Sequence, residues 1–154
     1  MPVTKLKEYL DRQGIKYVSI RHSPAFTASE VAASAHVSGR DFAKTLIVKV
    51  EDEMAMVVLP ANRRLLLGEL RELLDSAYVR LASEAEFKST FPDCELGAMP
   101  PFGKLYGMKV YIASNLADEQ EIAFNAGLHT EVIKLAYEDF ERLVQPTVLD
   151  FVTT

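Results

Sequence analysis

The chain has 154 residues, 49% of them hydrophobic and 25% charged, with a net charge of −5 at pH 7. That suffices for one domain with a real core, read over 1–154. No apolar run approaches the ~20 residues of a membrane helix, and no secretory signal opens the chain, so neither a membrane role nor export is expected. The acidic balance argues against a general nucleic-acid coating protein, DNA included, because phosphate contacts carry non-specific affinity. It leaves room for a grip on one end of an RNA. A single cysteine, Cys94, and three scattered histidines give neither a disulfide framework nor zinc spacing. A reducing, cytoplasmic setting is expected, with no cofactor and no metal.

Thr4–Gln13 carries Leu6, Tyr9 and Leu10 on one stripe and stops at Gly14, which predicts a helix. Ile15–Arg21 is rich in strand formers. Thr27-Ala28-Ser29-Glu30 has the form of a capping box and opens a small-residue helix to about Ala35 or His36. Phe42–Val50 and Met54–Leu59 predict a hairpin across Glu51-Asp52-Glu53. Leu65–Leu74 reads as a helix and Tyr78–Leu81 as a short strand. Ser83-Glu84-Ala85-Glu86 is a second capping box. Residues 90–107 form a long loop rich in proline and glycine, of the kind usually kept for function. Lys109–Ala113, Ile122–Asn125 and Glu131–Leu135 predict strands, and Tyr137–Val144 a helix stopped by Pro146. The mixture reads as an α/β (α+β) domain around a mixed sheet with flanking helices.

Two segments stand out chemically. Strand alternation puts Lys44 on the face of Phe42, Leu46, Val48 and Val50. A lysine on so apolar a face must snorkel, pair with an acid or line a pocket. Its three donors suit phosphate or ribose oxygens. The second is Glu95-Leu96-Gly97-Ala98-Met99-Pro100-Pro101-Phe102-Gly103, which displays backbone rather than reactive side chains. It reads either as a rigid turn or as a set of backbone donors. Pro100 and Pro101 have no N–H, so the donors are Gly97, Ala98 and Met99. Of the three histidines, His36 is expected at the surface, and lone histidines such as His22 and His129 are commonly packed for structure. Cys94 lies between Asp93 and Glu95, which disfavour its thiolate.

Together these segments resemble the YbaK family of aminoacyl-tRNA deacylases, which includes the editing domain inserted in bacterial prolyl-tRNA synthetases. The resemblance rests on Lys44 in an Ala-Lys-Thr-hydrophobic context and on Gly97 to Pro101 followed by Phe102-Gly103. It extends to His22-Ser23-Pro24-Ala25-Phe26-Thr27-Ala28-Ser29-Glu30, to Leu59-Pro60-Ala61-Asn62-Arg63-Arg64 and to Phe124-Asn125-Ala126-Gly127-Leu128-His129. Thr90-Phe91-Pro92-Asp93-Cys94 departs from the Thr-Gly that many members carry there.

The resemblance implies a trans-editing hydrolase that cleaves the ester of a mischarged tRNA carrying a small amino acid such as Ala, Cys or Ser. Water would be the nucleophile, assisted by the substrate's own ribose hydroxyl rather than by a protein side chain. Lys44, Gly97, Ala98 and Met99 would be catalytic. Thr45, Leu46, Pro101, Phe102, His22 and His129 would bind substrate, and Arg63 and Arg64 the tRNA. The implied partner is the CCA end of an aminoacyl-tRNA, with a synthetase as an optional second. The same grip would also serve a non-catalytic nucleotide or acceptor-end binding module, or an esterase of small acyl nucleotides.

Overall fold

The computed structural model describes residues 2–25 and 27–153, with residues 2 and 3 by backbone alone. Phe26, in the segment expected to lead into the second helix, lies outside them. The strands are β1 (Tyr17–Arg21), β2 (Phe42–Val50), β3 (Glu53–Pro60), β4 (Val79–Leu81), β5 (Lys109–Ala113), β6 (Glu121–Asn125), β7 (Glu131–Ala136) and β8 (Thr147–Leu149). They form one mixed sheet in the order β1-β7-β6-β2-β3-β5-β8, with β4 also on β2. The β2–β6, β3–β5 and β5–β8 pairs are parallel. The helices are α1 (Pro2–Arg12), α2 (Ala28–Ser34), α3 (Leu67–Leu73), α4 (Glu84–Phe87), α5 (Ser114–Ala117) and α6 (Tyr137–Val144).

Alternation along the strands feeds two faces. On one, Ala43, Ile47, Phe124 and Ile133 pack with Leu6 and Leu10 of α1, Leu116 of α5 and Phe140 of α6. On the other, Val48, Val57 and Leu59 meet Leu70 of α3 and Phe151. Beside them, Phe42, Ala123 and Val132 meet Val31 and Ala32 of α2. Helices thus cover both faces, as an α/β layer arrangement requires.

The expected elements recur with small shifts of their ends. The Ser83–Glu86 capping box is complete, whereas at α2 only the Thr27 half forms, its hydroxyl accepting from the Glu30 N–H. Two short elements, α5 and β8, had no expectation. The 90–107 loop is anchored by its apolar residues, with Phe91, Met99 and Phe102 buried in the core. Gly103 lies so close to the Met108 carbonyl and the Val110 side chain that a Cβ there would collide with both.

Candidate active site

The sheet parts beside β2. One edge of β2 pairs with β3 over its length. On the other edge β6 takes only Phe42 and Ala43, and β4 takes only Val48, Lys49 and Val50. Residues 44–47 therefore face no strand on that side, and Ile47 is held only by its carbonyl, which accepts from the Ala82 N–H at 2.9 Å.

Lys44 opens this gap. Its neighbours at i±2, Phe42 and Leu46, belong to the α2 and α3 cores, as alternation predicts. The side chain is half-buried. Burial, and secondly the charge of Arg64, push its ammonium below the ordinary lysine range. The antiparallel register sets Lys44 opposite Leu59, so the chain leaving β3 carries Arg63 and Arg64 to the same end of the sheet. Among the described residues no carboxylate pairs with Lys44, Arg63 or Arg64. Lys44 and Arg64, close enough to feel each other's charge, together favour an anion such as phosphate.

The ladder register extends this face. Ile20 pairs with Val132, and Val132 with Asn125. One step past the last β2–β6 pair, Ala43 with Phe124, the same face carries Lys44 beside Asn125. His22 lies two residues beyond Ile20, its N–H donating to the Thr130 carbonyl at 3.0 Å. Three buried polar atoms here have no hydrogen-bond partner: Asn125 Oδ1, His22 Nε2 and, on the opposite face of β2, Thr45 Oγ1. His22 Nδ1 donates to the Ser23 carbonyl, so in the neutral ring Nε2 is an acceptor. Each unmade bond of this kind costs about 1–3 kcal/mol, which a ligand's polar groups would offset.

The Gly97 loop is fastened to the turn that follows β6. The Glu95 N–H donates to the Gly127 carbonyl and the Gly127 N–H to the Ala98 carbonyl, both at 2.9 Å. His129 locks the join. Its N–H donates to Glu95 Oε1 at 2.7 Å, and its Nε2 donates to the Leu96 carbonyl at 2.6 Å. A carbonyl only accepts, so Nε2 carries the proton. The imidazole, 6% exposed, is a clamp whose Cε1 lies 3.6 Å from where a Cβ on Gly97 would stand. Gly97 itself is exposed and has φ +83°, a conformation that glycine adopts freely.

Several expected roles change on this geometry. The Ala98 N–H donates to the Glu95 carbonyl at 3.0 Å, so it is no free donor. The N–H groups of Gly97 and Met99 meet no acceptor among the described residues. Phe102 is a core residue, 1% exposed and edge-on to Tyr9, Phe124 and Phe140. Leu46 packs in the core on the other side of β2, so Phe102 and Leu46 do not shape one pocket. Pro101 is buried. Asn125 lacked a role of its own at the level of sequence. The available signal was an amide ending the apolar run Ile122-Ala123-Phe124. The acidic cleft of about 400 Å³ lined by Asp41, Asp118, Glu119 and Glu121 lies at the other end of β6 and holds none of these residues. Among the described residues no three metal-ligating side chains gather, and no helix is long and apolar enough to cross a membrane.

The open edge of β2 at Lys44 and the loop with two unpaired backbone N–H groups are thus both tied to β6 and the turn that follows it. Residues 22–143 match the model of the aminoacyl-tRNA editing domain, and the chain belongs to that family, of YbaK type. It is 28% identical over 153 residues to the multifunctional Ser/Thr-tRNA deacylase ProXp-y of Escherichia coli (strain K12), covering 96% of this chain and 90% of that protein. Among solved structures it resembles a proposed trans-editing enzyme for prolyl-tRNA synthetase, with a TM-score of 0.84, 20% identity and 99% and 98% of the two chains covered. A protein recorded only as hypothetical superposes with a TM-score of 0.85 at 22% identity, over 97% and 99% of the chains. The protein is an aminoacyl-tRNA deacylase, and an aminoacyl-tRNA is its substrate.

Proposed function

We propose that the chain acts in trans on the CCA end of mischarged tRNA and removes serine or threonine. The observation that carries this is the match, along nearly the whole chain, to a protein named for Ser/Thr-tRNA deacylation. The unpartnered Thr45 hydroxyl beside the gap supports a polar amino-acid side chain over the alanine that size alone would admit. Lys44, with Arg63 and Arg64, holds the terminal phosphate. The N–H groups of Gly97 and Met99 hold the ester carbonyl, and His129 fixes the loop that presents them. Water adds to the carbonyl carbon, the oxyanion forms against these donors, and the acyl–oxygen bond breaks. The ribose oxygen leaves with a proton, giving free amino acid and uncharged tRNA. Oxyanion donors of this kind are typically worth ~3–4 kcal/mol.

The test is a deacylation panel of seryl-, threonyl-, alanyl- and cysteinyl-tRNA. Preferential release of serine and threonine is expected. Preference for alanine or cysteine would overturn the specificity, and release from none would overturn the reading.

A further inference from the structure

We infer that Asn125 is a substrate-binding residue whose carboxamide oxygen accepts a hydrogen bond from the free ribose hydroxyl next to the ester; this rests on the reading above. Asn125 is 7% exposed and its Oδ1 has no partner. It is the last residue of β6, where that strand leaves β2. Buried amide oxygens are almost always hydrogen-bonded, so an orphan here is a prepared acceptor.

Four donors exist at the end of a seryl- or threonyl-tRNA: the ribose hydroxyl, the α-ammonium, the adenine amino group and the amino acid's own hydroxyl, which the reading above gives to Thr45. The position of Asn125 selects among them. On one side the register sets it beside Lys44, which grips the phosphate. On the other, Gly127 is two residues along the chain, bonded to the loop that holds the carbonyl. The sugar lies between phosphate and carbonyl. The cations Lys44 and Arg64 also disfavour a third positive charge on this face, which argues against the ammonium.

The experiment measures binding, so that catalysis does not enter. An RNA minihelix ends in 3′-amino-3′-deoxyadenosine carrying serine through a stable amide, and a counterpart also lacks the 2′-hydroxyl. The full chain should bind the hydroxyl form about 5–10-fold tighter, the strength of one neutral hydrogen bond. Asn125→Leu, of similar size and without an acceptor, should bind both equally. Asn125→Asp, which keeps the acceptor, should restore the preference. Asn125→Ala repeats the comparison should leucine lower the melting temperature. A wild-type protein indifferent to the hydroxyl, or a leucine and an alanine variant that keep the full preference, overturns the inference while leaving deacylation intact. Failure of the wild-type chain to bind either analogue or to release serine or threonine removes the function reading, and this with it.

Discussion

Replacing Gly97 with alanine separates a catalytic loop from a structural turn. At φ +83° an L-residue is strained by about 1–2 kcal/mol. The new methyl meets only His129 Cε1, at 3.6 Å, an ordinary contact. Against a typical stability of about 5–15 kcal/mol, that strain lowers the melting temperature by a few degrees and leaves nearly every molecule folded. If the Gly97 N–H faces the developing oxyanion, relaxation of the strain re-aims it. Losing one such donor typically lowers the rate ~10²–10³-fold. Rate and stability therefore part company. Gly103→Ala is the control, because its Cβ collides with the Met108 backbone rather than with the site. It should melt well below wild type, yet each folded molecule should react normally. The assay is single-turnover hydrolysis of seryl-tRNA with enzyme in excess, alongside thermal melts of all three proteins. A Gly97→Ala protein that melts lower but cleaves at the wild-type rate per folded molecule refutes the donor role.

Lys44→Ala should lose roughly 10–100-fold in affinity for the amide-linked analogue, the worth of a charge-assisted bond, with an unchanged melting temperature; equal affinity would place Lys44 outside the site. Burial and Arg64 lower the Lys44 pKa from 10.5, so binding should weaken as pH rises through that lowered value, and Arg64→Ala should move this limb to higher pH. Glu86 accepts two Arg80 bonds at 2.7 Å, one from the Ser83 N–H and an ion pair from Lys49, which hold its carboxyl far below the ordinary 4.5. Its stabilisation is present above that value and lost as pH falls towards the depressed one, so the melting gap between wild type and Glu86→Gln should close on acidification; a gap constant with pH would refute the assignment. Burial, foremost, raises the Cys94 thiol pKa, so Cys94→Ser and treatment with a chelator should both leave deacylation unchanged, and loss on either would contradict a water-based, metal-free reaction.

Local rules carried much of this fold. The β2–β3 hairpin, both helix caps and the arrest of α6 each depend on a few adjacent residues, and all formed near their expected places. What escaped was set by distant partners. β8 is three residues long and largely exposed, and exists because β5 accepts it in parallel. α5 is a four-residue turn without a side-chain cap to announce it. Phe102 sits in a proline–glycine motif that reads as display, yet Tyr9, Phe124 and Phe140 surround its ring. Nothing within five residues of Phe102 predicts that.

The site shows the same division more sharply. Alternation alone placed Lys44 on an apolar face, and the missing N–H groups of Pro100 and Pro101 alone narrowed the donors. Neither argument says how the fold connects the two segments. That follows from β6, which pairs with β2 for two residues and then leaves it. Its departure opens the edge of β2 at Lys44, and its continuation is the turn onto which the Gly97 loop is bonded. The sequence between Phe124 and His129 is thus the link between the cation and the donors. Asn125 falls where the link begins and His129 where it closes on Leu96. The proposed reaction, with water rather than a protein side chain as nucleophile, would depend on such alignment, because positioning and backbone dipoles would be all the site brings to the ester.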